Sequence, residues 1–152
     1  MAQQSLNIHA SCVMLGRAGV LLLGPSGAGK SDLALRLLDE GARLVADDRT
    51  DLFVKNQKLF ARAPAAIAGL IEVRGLGIIA RPTAKTAAVA LAVQLGGPAA
   101  RLPEPAFYTP LKSAKPVPMM TLDAQAASAP ARIRLALAAF SGGLFRESFN
   151  PN

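Results

Sequence analysis

The fold is decided by Gly24-Pro25-Ser26-Gly27-Ala28-Gly29-Lys30-Ser31, which matches the pattern G-x-x-x-x-G-K-[ST] at every fixed position. The apolar run Ala18–Leu23 before it predicts a strand, and residues 31–40 after it predict a helix. In this pattern glycines let backbone N–H groups turn toward an anion, and the helix N-terminus adds positive charge. The sequence therefore predicts a P-loop that cradles nucleotide phosphates, with Lys30 on the phosphates and the Ser31 hydroxyl on Mg²⁺.

Length and composition predict one domain over residues 1–152. The chain has 51% hydrophobic residues, which is enough for a sizeable core. Alternating apolar positions and turn residues predict several short strands and two helices. Besides the P-loop strand and helix, strands are predicted at 8–15, 43–46, 51–54, 58–61, 71–73, 78–79 and 87–95, and a helix at 130–140.

The segment 97–118 contains six prolines, at positions 98, 103, 105, 110, 116 and 118. Proline breaks helices and removes a donor from a sheet, so this segment is predicted to be neither a long helix nor a central strand. It is either a surface loop or a mobile functional segment. The tail 144–152 is predicted to be loose.

Charge and cysteine content exclude some classes of protein. The net charge is +7, but the basic residues are scattered and aromatic residues are few, so nucleic-acid binding is not predicted. No apolar run reaches the ~18 residues of a membrane helix, and no membrane partner is predicted. The single cysteine, Cys12, is expected to be a buried strand residue, and its solitude fits a cytoplasmic location.

Two adjacent acids, Asp47 and Asp48, follow a short apolar strand and stand 17 and 18 residues after Lys30. Neighbouring strand residues point to opposite sides, so we expect the pair to divide its roles at a parallel-strand terminus. One can accept a proton from an incoming hydroxyl, and the other can brace it or reach a basic partner. The alternative is an Asp-rich turn with solvated carboxylates. His9, the only histidine, is expected on the preceding strand; a lone histidine is more often structural.

A third motif is Glu72-Val73-Arg74-Gly75-Leu76-Gly77-Ile78-Ile79. A carboxylate, a guanidinium and two glycines at a strand end can hold a metal and an anion. They can equally form an ion pair beside a turn.

Together these motifs resemble the catalytic domain of the HPr kinase/phosphorylase family, most strongly over residues 5–95. The resemblance rests on Ile-His-Ala at 8–10, the P-loop at 24–31, Arg-Leu-Val-Ala-Asp-Asp at 43–48 and Glu-Val-Arg-Gly-Leu-Gly-Ile-Ile at 72–79. It implies an α/β P-loop kinase domain with a mixed central sheet, β-hairpins and few helices. It also implies the short proteobacterial form, which lacks a separate N-terminal domain.

The resemblance implies ATP- and Mg²⁺-dependent phosphorylation of a serine on HPr, the phosphocarrier protein of the sugar phosphotransferase system. By motif, Lys30 binds phosphates, and Ser31 with Glu72 holds Mg²⁺. Family members form rings of subunits, so the resemblance implies a homo-oligomer such as a hexamer. The segment 97–118 and the basic C-terminal half are candidate docking surfaces for HPr.

The resemblance assigns the catalytic roles to Asp48, Asp47, His9, Lys30 and Arg74. One aspartate accepts a proton in the kinase direction and donates it in the reverse. Asp48 is favoured for this role, with Asp47 braced by His9. Arg101 matches a further arginine of the family.

The chain also departs from the family pattern. The family's later loop, which serves phosphate removal, carries a Gly-Arg pair that is absent at the matching residues 116–121. Phosphate removal therefore remains open. Two alternatives to the protein kinase also remain open: a kinase of small metabolites or NTPase with the same loop, and a non-catalytic nucleotide sensor.

Overall fold

The computed structural model describes residues 4–145, and within this range the chain forms eleven strands and two α-helices. A single 3₁₀ turn lies at Ala65–Ile67. The helices are α1 (Lys30–Asp39) and α2 (Ala129–Gly142). The strands are β1 (Ser5–Ile8), β2 (Ala10–Leu15), β3 (Ala18–Leu23), β4 (Arg43–Ala46), β5 (Thr50–Lys55), β6 (Lys58–Arg62), β7 (Leu70–Val73), β8 (Gly77–Ala80), β9 (Ala87–Leu95), β10 (Phe107–Tyr108) and β11 (Val117–Leu122).

A mixed sheet of nine strands organises the molecule. Its main path is β1-β5-β6-β9-β3-β2-β4, with β11 beside β9 and β10 beside β11. β9 pairs in parallel with β3 and β11, whereas the remaining strand pairs are antiparallel. β7 and β8 form a separate two-stranded sheet. This architecture confirms the predicted α/β class with a mixed sheet, hairpins and few helices.

The sheet has a core on each face, as the alternation along β3 dictates. Val20 and Leu22 point to the helix side, where they share a buried cluster with Leu33 of α1 and Ile133 of α2. Leu21 points to the other side and belongs to a second buried cluster. A strand buried on both faces reads as a continuous apolar run, which is why residues 18–23 predicted this strand so clearly.

Helix α1 follows the P-loop directly and ends at a glycine. Gly41 has φ +105, and its N–H donates to the carbonyl of Leu38, while the N–H of Ala42 donates to Leu37. These two bonds form the Schellman motif that terminates helices at a left-handed residue. The structure thus confirms the predicted helix and its stop to within one residue at each end.

The strand order brings three loops to one edge of the sheet. β2 lies between β3 and β4 and is antiparallel to both, so its start shares an edge with the ends of its neighbours. His9 precedes β2, the P-loop follows β3, and Asp47 follows β4. The expectation of a parallel-strand terminus needs correction, because β4 runs in the direction of β3 but pairs with β2. His9 occupies a bend between β1 and β2 instead of a strand position.

The proline-rich segment differs from its prediction. The sequence predicted neither a long helix nor a central strand there, yet Val117–Leu122, which begins in this segment, forms β11 between β9 and the short β10 at Phe107–Tyr108. Pro118 is tolerated because it pairs only with the short β10, and the parallel pairing of β11 with β9 begins one residue later, at Met119.

Of the tail predicted to be loose, residues 146–152 lie outside the described residues. Among residues 4–145, neither helix is long and apolar enough to cross a membrane.

Candidate functional site

A cleft of about 550 Å³ opens at the sheet edge where the three loops meet. Most of the predicted site residues border it, and the P-loop forms its floor. The lining residues are His9, Ser26, Gly27, Gly29, Lys30, Ser31, Asp32, Leu35, Asp48, Glu72, Val73 and Arg74. Asp47 lies behind this lining, and Gly24, Pro25 and Ala28 complete the loop without bordering the cleft.

The glycines of the P-loop adopt conformations that a side chain would strain. Gly24, Gly27 and Gly29 have φ values of +143, +85 and +95. A Cβ on Gly24 would lie 2.6 Å from the carbonyl oxygen of Leu95, and one on Gly29 would lie 2.9 Å from the Cβ of Ala124. The loop is therefore pressed against the end of β9 and the segment after β11, and α1 starts at its rim. This arrangement aims the N-terminus of α1 at the cleft.

Lys30 is folded into the loop. Its Nζ donates to the carbonyl oxygens of Gly24, at 2.6 Å, and Pro25, at 2.9 Å. The residue is only 6% exposed. Burial lowers the pKa of Lys30, and the charges of Asp48 and Asp47 partly oppose this shift. When a phosphate enters the loop, its oxygens would replace these carbonyl oxygens as hydrogen-bond acceptors of Lys30 Nζ.

Asp47 is buried and connects three parts of the site. Its Oδ1 accepts hydrogen bonds from the hydroxyls of Ser31, at 2.7 Å, and Ser11, at 3.1 Å. Its Oδ2 accepts the backbone N–H of Glu72 at 3.1 Å. The proton of the Ser31 hydroxyl is thus directed at Asp47, which leaves the oxygen lone pairs available to a cation.

Asp48 has the opposite environment. Its side chain is 64% exposed, and its backbone has φ +67. The N–H of Arg49 donates to the carbonyl of Asp47 at 2.7 Å. An i→i+2 hydrogen bond around a residue of positive φ is the rare, strained form of γ-turn. The two aspartates thus lie in different environments, and this turn separates their side chains, not the alternation of a strand.

His9 contacts Asp48. Its Nε2 lies 2.7 Å from Oδ1 of Asp48, and its side chain is 35% exposed. The expectation that His9 braces Asp47 is therefore wrong. The γ-turn carries the carboxylate of Asp48 toward the start of β2, whereas Asp47 points into the protein toward Ser31.

Glu72 and Arg74 border the cleft from β7 and the turn after it. Both are exposed, and the backbone of Glu72 is fixed by Asp47. In the part of the chain that the structure describes, no three His, Cys, Asp or Glu side chains cluster as a metal site. Ser31 and Glu72 nevertheless offer two oxygens beside the P-loop. Mg²⁺ typically takes few protein oxygens and completes its shell with phosphates and water, so this donor set fits it.

Sequence reasoning missed two kinds of residue. Leu35 and Val73 line the cleft, and only the structure places them there. Ser11 touches both aspartates and went unnoticed; its signal was a hydroxyl within the otherwise apolar run 10–13.

Two motif matches do not reach the cleft. Residues 116–121, matched to the family's later loop, mostly form β11, and Arg101 does not line the cleft. All residues that line the cleft fall between positions 9 and 74.

The amino-acid sequence matches a known protein family over its N-terminal half. The model of the HPr serine kinase C-terminal domain matches residues 1–85. The HPr kinase/phosphorylase of Lactiplantibacillus plantarum is 46% identical over 74 residues, which are 48% of this chain and 24% of that protein. The one from Lactobacillus acidophilus is 47% identical over 74 residues, or 48% and 23%. The chain thus spans about a quarter of the length of the curated relatives it matches.

A solved structure is similar over most of the chain. The Hpr(Ser) kinase/phosphatase from Coxiella burnetii superposes with a TM-score of 0.78 at 25% identity. The match covers 91% of this chain and 98% of the other. The similarity therefore extends past residue 85, into the half that the family model does not match.

Proposed function

The chain belongs to the HPr serine kinase C-terminal domain family, and we propose that it transfers the γ-phosphoryl group of ATP to a serine of an HPr-like phosphocarrier protein. The observation that carries this proposal is the placement of Asp48 in the same cleft as Lys30 and the P-loop. The charge of Asp48 acts on Lys30. A γ-phosphate held by Lys30 would therefore share the cleft with a carboxylate that can take a proton.

The proposed step is an in-line displacement. The serine Oγ of the acceptor attacks the γ-phosphorus, the bond from that phosphorus to the bridging oxygen breaks, and ADP leaves. The hydroxyl proton passes to the carboxylate of Asp48, while His9 holds that carboxylate through Oδ1. A positioned general base of this kind contributes typically ~10²–10⁴-fold to the rate.

Binding falls to the P-loop and its neighbours. Lys30 and the backbone N–H groups of the loop hold the β- and γ-phosphates and stabilise the charge that spreads over the transferring oxygens. Ser31 and Glu72 would hold Mg²⁺, which when bound neutralises phosphate charge. Asp47 accepts hydrogen bonds from the Ser31 hydroxyl and from the backbone N–H of Glu72 and so fixes the positions of both. Arg74, exposed at the rim, is proposed to contact the phosphates or the acceptor.

The reverse reaction uses the same groups. An oxygen of inorganic phosphate attacks the phosphorus of the phosphoserine, the bond from that phosphorus to the serine Oγ breaks, and a protonated Asp48 gives its proton to that oxygen, which leaves serine and pyrophosphate. Residues 116–121 lack the Gly-Arg pair of the family's later loop, mostly form β11 and do not line the cleft, so nothing at this place supports phosphorolysis. We therefore propose the kinase direction as the main activity and leave phosphorolysis to experiment.

We propose that the acceptor protein docks on the β7–β8 hairpin, beside the cleft. Leu76 and Ile78 follow Arg74 in the β7–β8 hairpin and are 75% and 68% exposed. Apolar side chains exposed beside a cleft favour a protein partner over water. We propose this hairpin in place of segment 97–118 as the docking site, because its turn begins at Arg74, which borders the cleft, whereas no residue of segment 97–118 does.

A homo-oligomer, such as a hexamer, is proposed from the family. Leu102, Leu135 and Leu144 are exposed by 60% or more and support an interface between copies. Light scattering measures the mass directly, and a monomer at high micromolar concentration would contradict this part of the proposal.

The test is transfer of labelled γ-phosphate from ATP to purified HPr with Mg²⁺. Wild type, Lys30→Ala and Asp48→Asn are compared with Asp39→Asn, a matched control at an exposed residue in the last turn of α1. We expect wild type and the control to label a serine of HPr, and the other two to fail. Inorganic phosphate added afterwards then tests the reverse reaction.

The outcomes separate the alternatives. Turnover of ATP that never requires HPr would indicate a small-molecule kinase or NTPase. Binding of ATP without turnover, unaffected by Asp48→Asn, would indicate a nucleotide sensor.

A further inference from the structure

We propose that Ser11 is a positioning residue, whose buried hydroxyl ties Asp47 to Asp48 and holds Asp48 in the strained turn from which it accepts the proton. The catalytic consequence rests on the proposed function. The structural part does not, and it can be tested without any substrate.

The hydroxyl of Ser11 bridges the two aspartates. It donates to Oδ1 of Asp47 and accepts the backbone N–H of Asp48, both at 3.1 Å. Ser11 is fully buried within β2, between the buried residues Ala10 and Cys12. Burying a hydroxyl is unfavourable unless it is paired. Here it donates once and accepts once, and both partners belong to the aspartate pair.

The conformation of Asp48 needs such support. Its φ of +67 within the γ-turn is rare for a residue with a side chain. Strain of this kind persists only where the surroundings over-determine it, and it collects at functional sites. Three contacts hold the turn. The Ser11 hydroxyl accepts the N–H of Asp48, and the N–H of Arg49 donates to the carbonyl of Asp47. Nε2 of His9 contacts the carboxylate of Asp48. Ser11 is the fully buried anchor among them.

Loss of this anchor would affect the chemical step more than nucleotide binding. Without it the backbone of Asp48 can relax, and the carboxylate moves with it. Asp47 keeps its hydrogen bonds to Ser31 and Glu72, so the expected Mg²⁺ and phosphate ligands stay in place. A misplacement of about 1 Å can lower a rate ~10²-fold. We expect Ser11→Ala to lower kcat about 10- to 100-fold, with KM for ATP unchanged.

The substrate-free test is a thermodynamic cycle. Asp48→Gly and Asp48→Ala both remove the carboxylate, but glycine tolerates a positive φ and alanine does not. In the otherwise wild-type chain we expect the glycine form to have an unfolding constant about fivefold lower than the alanine form. In the Ser11→Ala background the turn is released, and this advantage should vanish. An advantage of the same size in both backgrounds overturns the proposal.

The kinetic test adds a matched control and a conservative variant. Cys12→Ala truncates a neighbouring buried side chain of β2 whose thiol donates to the carbonyl of Val13 and to neither aspartate, so it reports the effect of stability loss. Ser11→Thr keeps the hydroxyl. We expect kcat to fall in Ser11→Ala and to stay within about threefold of wild type in the other two. Equal losses in Ser11→Ala and Cys12→Ala, or a rise in KM for ATP with kcat unchanged, contradict the proposal.

The tests of Ser11 can be interpreted even if the proposed function fails or Ser11→Ala does not fold. If wild type does not phosphorylate HPr, the proposed function fails while the cycle still reports on Ser11. If Ser11→Ala does not fold, Ser11→Cys, with nearly the same volume and a weakly hydrogen-bonding thiol, replaces it in both tests.

Discussion

Adding one methyl group to Gly24 measures how tightly the P-loop is held. Gly24→Ala places a Cβ 2.6 Å from the carbonyl oxygen of Leu95. Gly27→Ala is the matched control, because it lies in the same loop at φ +85 and its Cβ meets nothing within 4 Å. Both variants place alanine at a positive φ, although φ +143 at Gly24 lies farther from the left-handed region than φ +85 at Gly27, and only Gly24→Ala adds the clash.

The expected magnitudes follow from these terms. A positive φ costs alanine about 1–2 kcal/mol, of which about 0.4–1 kcal/mol is returned by the stiffer unfolded chain. Gly27→Ala should therefore lower the free energy of unfolding by about 1 kcal/mol. At Gly24 the contact is 0.8 Å shorter than the 3.4 Å at which ordinary contact begins. Overpacking against backbone costs roughly another 1–3 kcal/mol, so Gly24→Ala should lose about 2–4 kcal/mol.

The assay is urea denaturation followed by far-UV circular dichroism, because the chain has no tryptophan and one tyrosine. The difference between the midpoints, multiplied by a common m-value, gives the cost of the clash together with the extra backbone strain at φ +143. Equal losses in the two variants would refute the reasoning, since they would mean that the carbonyl of Leu95 does not confine the loop.

Three further predictions concern other parts of the molecule. Burial raises the pKa of Cys12 to about 12, so its thiol should resist alkylation at pH 8 until the protein unfolds. The free energy of unfolding should fall above about pH 9, because only the unfolded thiol ionises there. Fast labelling of the native protein would contradict this prediction. Burial lowers the pKa of Lys30, so the free energy of unfolding of wild type should rise relative to that of Lys30→Met as pH increases toward the usual lysine pKa, because the unfolded state then holds more protons. Denaturation curves of the two proteins at each pH would show this. The thermal shift caused by ATP should disappear in the variant. Glu40 and Arg134 form a half-exposed ion pair, so Glu40→Gln should cost less than about 1 kcal/mol in the free energy of unfolding, and a larger loss would mean that the pair fixes α2 against α1.

The strands that the sequence predicted well carry local signals. Ala18–Leu23, Arg43–Ala46 and Ala87–Leu95 are apolar runs bounded by turns or polar residues, and each begins and ends in the structure where the sequence predicted. The turn at Asn56-Gln57 was predicted with its hairpin, and both residues have positive φ, as a two-residue hairpin turn requires.

What could not be predicted depends on tertiary placement. β11 contains Pro118, whose missing N–H argues against a strand, and only the position of β9 provides the parallel partner. The contact of His9 with Asp48 depends on a γ-turn that no residue pattern announces. Ser11 reads as one polar residue in an apolar run, and its role becomes visible only when β4 lies beside β2.

The position of β9 in the sheet has a consequence for how the chain acquires its activity. All residues that line the cleft lie between positions 9 and 74, and the family model ends at residue 85, two residues before β9 begins. β9 pairs with β3, with β6 and with β11, and its last carbonyl oxygen closes against Gly24. During synthesis, β3 can pair with β2 at once but must wait for its second partner about 70 residues downstream, since Gly19 pairs with Val89. The part of the chain that carries the family motifs therefore cannot complete the sheet by itself. A chain that ended at residue 85 would expose the unpaired edges of β3 and β6, which are prone to aggregation.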